Sequence, residues 1–181
     1  MSNDLNSLIL DTNLQSFFYD QLSIINKKSS NPIPDQCLYY SSRVMDKYSE
    51  AEKYFENVDG KVREKVLGLK YLESNHLPRS TQKRVLKDVG DTALILCGFF
   101  GESLNKKIVD PKYYHDIGIA AYSQLDSIVP EVYEIPAFYK KLSSTFIPMT
   151  NLISVLTASL NLKPDQSQLI LFTSVRNIKA S

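Results

Sequence analysis

The sequence predicts an all-α fold, about seven helices in a single helical domain over residues 1–181. Three observations carry that expectation. Apolar residues recur at i, i+3, i+4 and i+7 in one segment after another, the period of a helix with one buried face. No segment shows sustained polar–apolar alternation, and no hairpin dipeptide stands between β-branched runs. Prolines fall at the openings of the periodic segments, where a missing N–H costs nothing.

The first helix is expected over Asn13–Lys27, where Leu14, Phe17, Phe18, Leu22 and Ile25 share a face and Asp11, Thr12 and Asn13 offer capping oxygens. A proline-bearing loop, Lys27–Gln36, leads to a second helix from Pro34 or Asp35 to about Tyr48, with a weak continuation toward Phe55. The run Asn57-Val58-Asp59-Gly60 reads as a turn, after which Val62, Val66, Leu69 and either Tyr71 or Leu72 form a third helical stripe that ends before Pro78. Pro78 opens the fourth helix. Its later half is apolar around almost the whole circumference, so it must be enclosed by other helices: helix 79–100 is the predicted centre of the fold.

Asp110 and Pro111 form a strong helix start, as N-cap and first helical residue, for a fifth helix running to about Ile128; the central helix is expected to pack on this helix, 111–128. Pro136 opens a sixth segment reaching Leu160, with Pro148 inside it and therefore a kink or split near Phe146. A seventh helix is expected from Pro164 to about Asn177, burying Leu169, Phe172 and Val175.

Composition narrows the function classes. Apolar residues at 43% and charged residues at 23% place the chain among folded proteins rather than disordered ones. A net charge of +1 supplies no global field for nucleic acid or an anionic membrane. Basic residues prevail between Lys61 and Lys87 and acids between Asp35 and Asp59, so the two segments are candidates to face each other, or one of them a partner. The basic run Arg79–Lys87 suits a phosphate-contacting helix start, with Ser80 and Thr81 as helpers, or a solvated helix face; the second is the ordinary outcome. With no basic and apolar leader at its start, the protein is expected in the cytoplasm, and Cys37 and Cys97 are expected as reduced, buried thiols.

Motifs for chemistry are missing. There is no phosphate-binding loop, dinucleotide-binding turn or nucleophile elbow, and His76, His115, Cys37 and Cys97 occur singly, so no cofactor, metal or catalytic residue is assigned. The stretch Gly90–Tyr122 concentrates glycines, paired aromatics, a histidine and acids. Its small residues Gly90, Gly118, Ala120 and Ala121 suit two helices in close approach, while Gly98 and Gly101 offer a place for the central helix to end. Alternatively, Glu102, Tyr114, His115 and Tyr122, with Asp91 and Asp116 nearby, supply polar groups for a ligand pocket between helices 79–100 and 111–128.

The stretch "GDTALILCGFFGESL" followed by "VDPKYYHDIGIAAY" resembles a segment of the form G-D-x-A-L-x3-G-F-F, then E-S-L, then V-D-x2-Y-Y-x-D-x-G-x2-A-Y, found in an uncharacterised family of all-helical bacterial proteins. The resemblance covers the central third of the chain. It implies a bacterial origin and a helical fold, and supplies no activity.

The leading functional expectation is a non-catalytic cytoplasmic protein that acts by protein–protein interaction, as an adaptor or regulator, with a protein partner or a second copy of itself and with neither nucleic acid nor membrane. Tyr39, Tyr40, Tyr48, Tyr54, Tyr133 and Tyr139 are the expected contact positions, because a tyrosine ring buries well while its hydroxyl stays wet. A small-molecule pocket is the alternative, and an enzyme using His115 and Asp116 stands third.

Overall fold

Helix α1, Leu14–Asn26, buries Phe18 and Leu22 and ends on a buried amide. The side chain of Asn26 donates to the Ile33 carbonyl at 2.9 Å and accepts from the Ile33 N–H at 2.8 Å, which closes the loop that follows. A buried amide satisfied on both sides fixes the loop far better than its prolines alone. Helix α2, Asp35–Lys47, starts from Pro34, and the Tyr19 hydroxyl of α1 donates to Asp35 at 2.6 Å across the helix pair.

The computed structural model describes residues 14–48, 55–58, 61–64, 67–104, 111–128, 135 and 137–160, with the backbone alone for 55–58, 61–64, 100–104 and 111. The expected helix 164–177 and the capping residues Asp11–Asn13 and Asp110 lie outside the described residues.

The chain departs from the expected helices after α2. Strand β1, Phe55–Val58, pairs antiparallel with β2, Lys61–Glu64, in the register Phe55 opposite Glu64 and Val58 opposite Lys61. The expected third helix thus begins only at Leu67: α3 is Leu67–Ser74. The physical reason lies in the turn dipeptide. In sequence Asp59-Gly60 is the two-residue stretch between Val58 and Lys61, and Asp-Gly is a favoured two-residue hairpin connection. Among the described residues this small hairpin is the one departure from an all-α fold.

Helix α4, Arg79–Leu104, is the predicted centre. Pro78 precedes it and accepts the first helical bond from Gln82 N at 2.8 Å. Every residue from Val89 to Phe99 is buried, as its all-round apolar pattern requires. The helix does not end at Gly98. That glycine faces α7 instead, where an added Cβ would lie 2.7 Å from the branched side chain of Ile153, so its absence lets the two helices touch.

Helix α5, Pro111–Ser127, packs along α4 as expected. Helix α6, Phe138–Ser144, and α7, Phe146–Ser159, are the two halves of the expected sixth segment, divided at Thr145. Pro148 falls within the first turn of α7, where its missing N–H leaves no bond unmade. α4 also contacts α2, α3 and α7, and α7 reaches α1, so one apolar core joins the described helices. No described helix is long and apolar enough to cross a membrane.

Candidate functional site

The polar centre of the molecule is Asp91, in the middle of α4 and fully buried. A carboxylate in that position is costly unless its oxygens are satisfied. Three elements satisfy them. Oδ1 accepts the Tyr40 hydroxyl of α2 at 2.5 Å and the Tyr122 hydroxyl of α5 at 2.9 Å. Oδ2 takes the Lys87 ammonium at 2.9 Å, one helical turn earlier on α4. Close by, the buried Tyr48 hydroxyl donates to Asp88 at 2.8 Å and lies 2.9 Å from Thr92 Oγ1.

The rings hold one another. Tyr40 meets Tyr122 and Phe138 edge-on at 6.2 and 5.3 Å, and Tyr139 stacks on Tyr122 at 6.2 Å. Burial, with the Asp91 charge behind it, pushes the Tyr40 and Tyr122 hydroxyls well above the usual phenol range. Burial also raises the Tyr48 hydroxyl, with Asp88 adding to it. All three phenols therefore stay neutral and act as donors. With Asp91 sealed from solvent, the cluster is a lock between α2, α4 and α5 rather than a place a dissolved substrate can reach.

This arrangement corrects the expectation that tyrosines mark an exposed contact surface. Tyr39 is exposed, but Tyr48 is buried and Tyr40 and Tyr139 are half-buried; Tyr54 and Tyr133 lie outside the described residues. The ring count signalled a polar interior.

The residues singled out in sequence do not converge. Tyr122 is at the Asp91 cluster, while Tyr114 is buried beside Tyr113 two turns earlier on α5. His115 is half-buried, with Nε2 3.4 Å from Thr150 Oγ1 and its ring against Phe146, and Asp116 is exposed. Phe146 touches the rings of both His115 and Tyr122. The side chain of Glu102 lies outside the described residues. The seam between α4 and α5 is filled: Gly90 lies against the Tyr122 ring, and Gly118 against Phe146 and Ala93.

A half-open groove of about 560 Å³ lies elsewhere, where α2, α3 and α4 meet. Four cations line it, Lys47, Lys70, Arg84 and Lys87, against two acids, Glu73 and Asp88. Leu77 and Val85 give it an apolar wall. The charge runs of the sequence therefore do not simply face each other. Lys47, from the acidic segment, lies 3.9 Å from Asp88 and 3.8 Å from Asp91, acids on α4 just past the end of the basic run. Among the described residues no group of three or more metal-ligating side chains forms.

Comparison with family models, curated proteins and solved structures finds no match for this chain.

Proposed function

We propose that this is a non-catalytic cytoplasmic protein that works through protein–protein contact, as an adaptor or regulator, and that its docking face is the outer side of α7, seated on a second copy of the chain. The observation that carries this reading is the chemistry of that helix. α7 contains no charged residue at all, and its outward side presents Ile147, Asn151, Ser154, Val155 and Ala158 to solvent. Ile147 and Val155 are 47% and 53% exposed, so large apolar surface faces water on one line of the helix.

Depletion of charge is what distinguishes the centre of a protein interface from ordinary surface. A face without charge also packs on itself with no like-charge repulsion, and a twofold pairing places the same patch on both partners. The cytoplasmic part of the proposal draws on Cys37 and Cys97, both unpaired and buried. Catalysis at His115 and Asp116 draws no comparable support, because His115 faces Thr150 and Phe146.

Light scattering behind size-exclusion chromatography tests the proposal. The expected result is a mass twice that of the chain, falling to one chain in Val155→Glu with the helical circular dichroism unchanged. A monomer at every concentration, or a dimer indifferent to both Val155→Glu and Ile147→Glu, overturns it.

A further inference from the structure

The groove between α2, α3 and α4 lies apart from α7 and supports an inference independent of the self-docking face. We propose that it binds a small zwitterion with an apolar body, a free apolar amino acid or dipeptide, whose carboxylate meets Arg84 and whose ammonium meets Glu73.

The pairing of charges in the groove is the first argument. Lys47 lies 3.9 Å from Asp88 and 3.8 Å from the buried Asp91, and Asp91 holds Lys87 at 2.9 Å. Lys70 also has a partner of its own. These cations are therefore engaged before a ligand arrives. Among the described residues, the charged side chains of the lining left without an ion pair are Glu73 on α3 and Arg84 on α4, both exposed and not paired with each other. One free acid and one free guanidinium give no preference for a bare anion or a bare cation. They suit a molecule that carries one charge of each sign, with the guanidinium fork matched to a carboxylate.

Placement is the second. The link from α3 to α4 is closed by backbone bonds, from His76 N to the Glu73 carbonyl at 3.1 Å and from Leu77 N to the Ser74 carbonyl at 3.2 Å. Gln124 Nε2 of α5 donates to Asn75 Oδ1 at 2.7 Å and ties the same link from outside. Glu73 and Arg84 thus stand on two helices whose junction is fixed. A ligand that bridges them orders two side chains and leaves the backbone as it is, which keeps the entropic cost of binding small.

Size and polarity are the third. About 560 Å³ falls within the range of small-molecule sites and is far too little for a folded partner. Leu77 and Val85 supply an apolar wall, and Leu77 is 37% exposed, so the groove leaves apolar surface in water that the body of the ligand covers.

Titration of the isotope-labelled full chain with L-leucine and with L-leucyl-L-leucine, followed by amide chemical shifts in NMR, tests this. Saturable shifts are expected along α3 and the first turns of α4, and the tighter of the two ligands shows which length spans Glu73 and Arg84. Acetylating the ammonium of that ligand, or amidating its carboxylate, should weaken binding about fivefold or more, roughly the worth of one exposed charge-assisted bond. Glu73→Gln should weaken the parent ligand by a similar factor and leave the acetylated form unaffected; Arg84→Gln should do the same with the amidated form. Both side chains are exposed, so neither substitution threatens the fold. Absence of saturable shifts with both ligands overturns the proposal. So does binding that survives both substitutions, or a Glu73→Gln variant that loses the acetylated form as much as the parent, because either places the charges of the ligand elsewhere.

Discussion

The Tyr122 hydroxyl reaches the sealed Oδ1 of Asp91 at 2.9 Å because Gly90, the residue just before Asp91, leaves room for the ring. A Cβ added at Gly90 would lie 2.6 Å from Tyr122 Cε1 and 2.8 Å from Cδ1. Alanine gains about 1 kcal/mol of helix propensity over glycine, but displacing a packed ring costs about 1–3 kcal/mol and loosens the hydrogen bond as well. Gly90→Ala is therefore expected to destabilise by about 2 kcal/mol in urea unfolding. In a Tyr122→Leu background the same change should cost little or help. A stabilised Gly90→Ala single variant would show that the ring does not need this gap.

The partners of Asp91 differ in worth because they differ in exposure. Lys87 is 40% exposed on its side chain, so its ion pair is screened and Lys87→Met should cost under about 1 kcal/mol. Tyr122→Phe removes a buried hydrogen bond to a charged group and Tyr40→Phe a part-buried one, each at about 1.5–3 kcal/mol. Asp91→Ala leaves both phenols without their acceptor while the 40%-exposed ammonium turns to water, and should cost about 2–5 kcal/mol. Ranking these four variants by chemical denaturation checks the assignment. Were Lys87→Met as damaging as Asp91→Ala, the lysine and not the tyrosine pair would be holding the carboxylate.

The same cluster sets the alkaline limit of the fold. The hydroxyls of Tyr40, Tyr48 and Tyr122 are all raised above their ordinary value of 10.0, chiefly by burial. A group whose folded pKa is raised contributes stability that is complete below the unfolded value and is lost as pH climbs above it. Stability should thus begin to fall near pH 9, where the raised thiols Cys97 and Cys37 contribute, and fall more steeply above about pH 10, where each of these tyrosines adds roughly 1.4 kcal/mol per pH unit. Denaturation midpoints from pH 8 upward, with tyrosinate absorbance read in parallel, check this. A Tyr40→Phe, Tyr122→Phe double variant should lose the share of two hydroxyls from the slope above about pH 10, and an unchanged slope there would place the sensitivity elsewhere.

Helix identity was legible where periodicity ran long. The enclosed stretch of α4, its packing on α5 and the division of the sixth segment near Phe146 all follow from apolar spacing and proline position. The hairpin is hard to see in sequence, because four-residue strands give too little alternation to compete with a helical stripe; Asp59-Gly60 between Val58 and Lys61 is the local signal. The site was half legible. An acid at Asp91 in an apolar run, four residues after Lys87, implies a buried pair, but its tyrosine partners come from positions 51 earlier and 31 later, and no local pattern announces such distances. The groove depends on three helices meeting, so its cations, scattered from Lys47 to Lys87, look in sequence like ordinary solvated charge.

The two thiols bear on the compartment in which the proposed docking takes place. Cys37 is fully enclosed in α2 and Cys97 is buried in α4, and neither forms a disulfide. Burial pushes the Cys97 thiol up to about 12 and raises Cys37 as well, against a neighbouring Thr145 hydroxyl and Lys141 charge that act the other way. Only the thiolate attacks an alkylating reagent or a disulfide, so at pH 8 both residues are inert on two counts, lack of access and lack of charge. Native protein treated with iodoacetamide should carry no label by intact-mass spectrometry, and urea-unfolded protein should carry two, one per cysteine. Cys97, between α4 and its neighbours, should be released only by global unfolding and so label at a rate that follows the unfolding equilibrium. Rapid labelling of one thiol in the native protein would mean that α2 or α4 opens locally, which a core sealed around Asp91 does not allow.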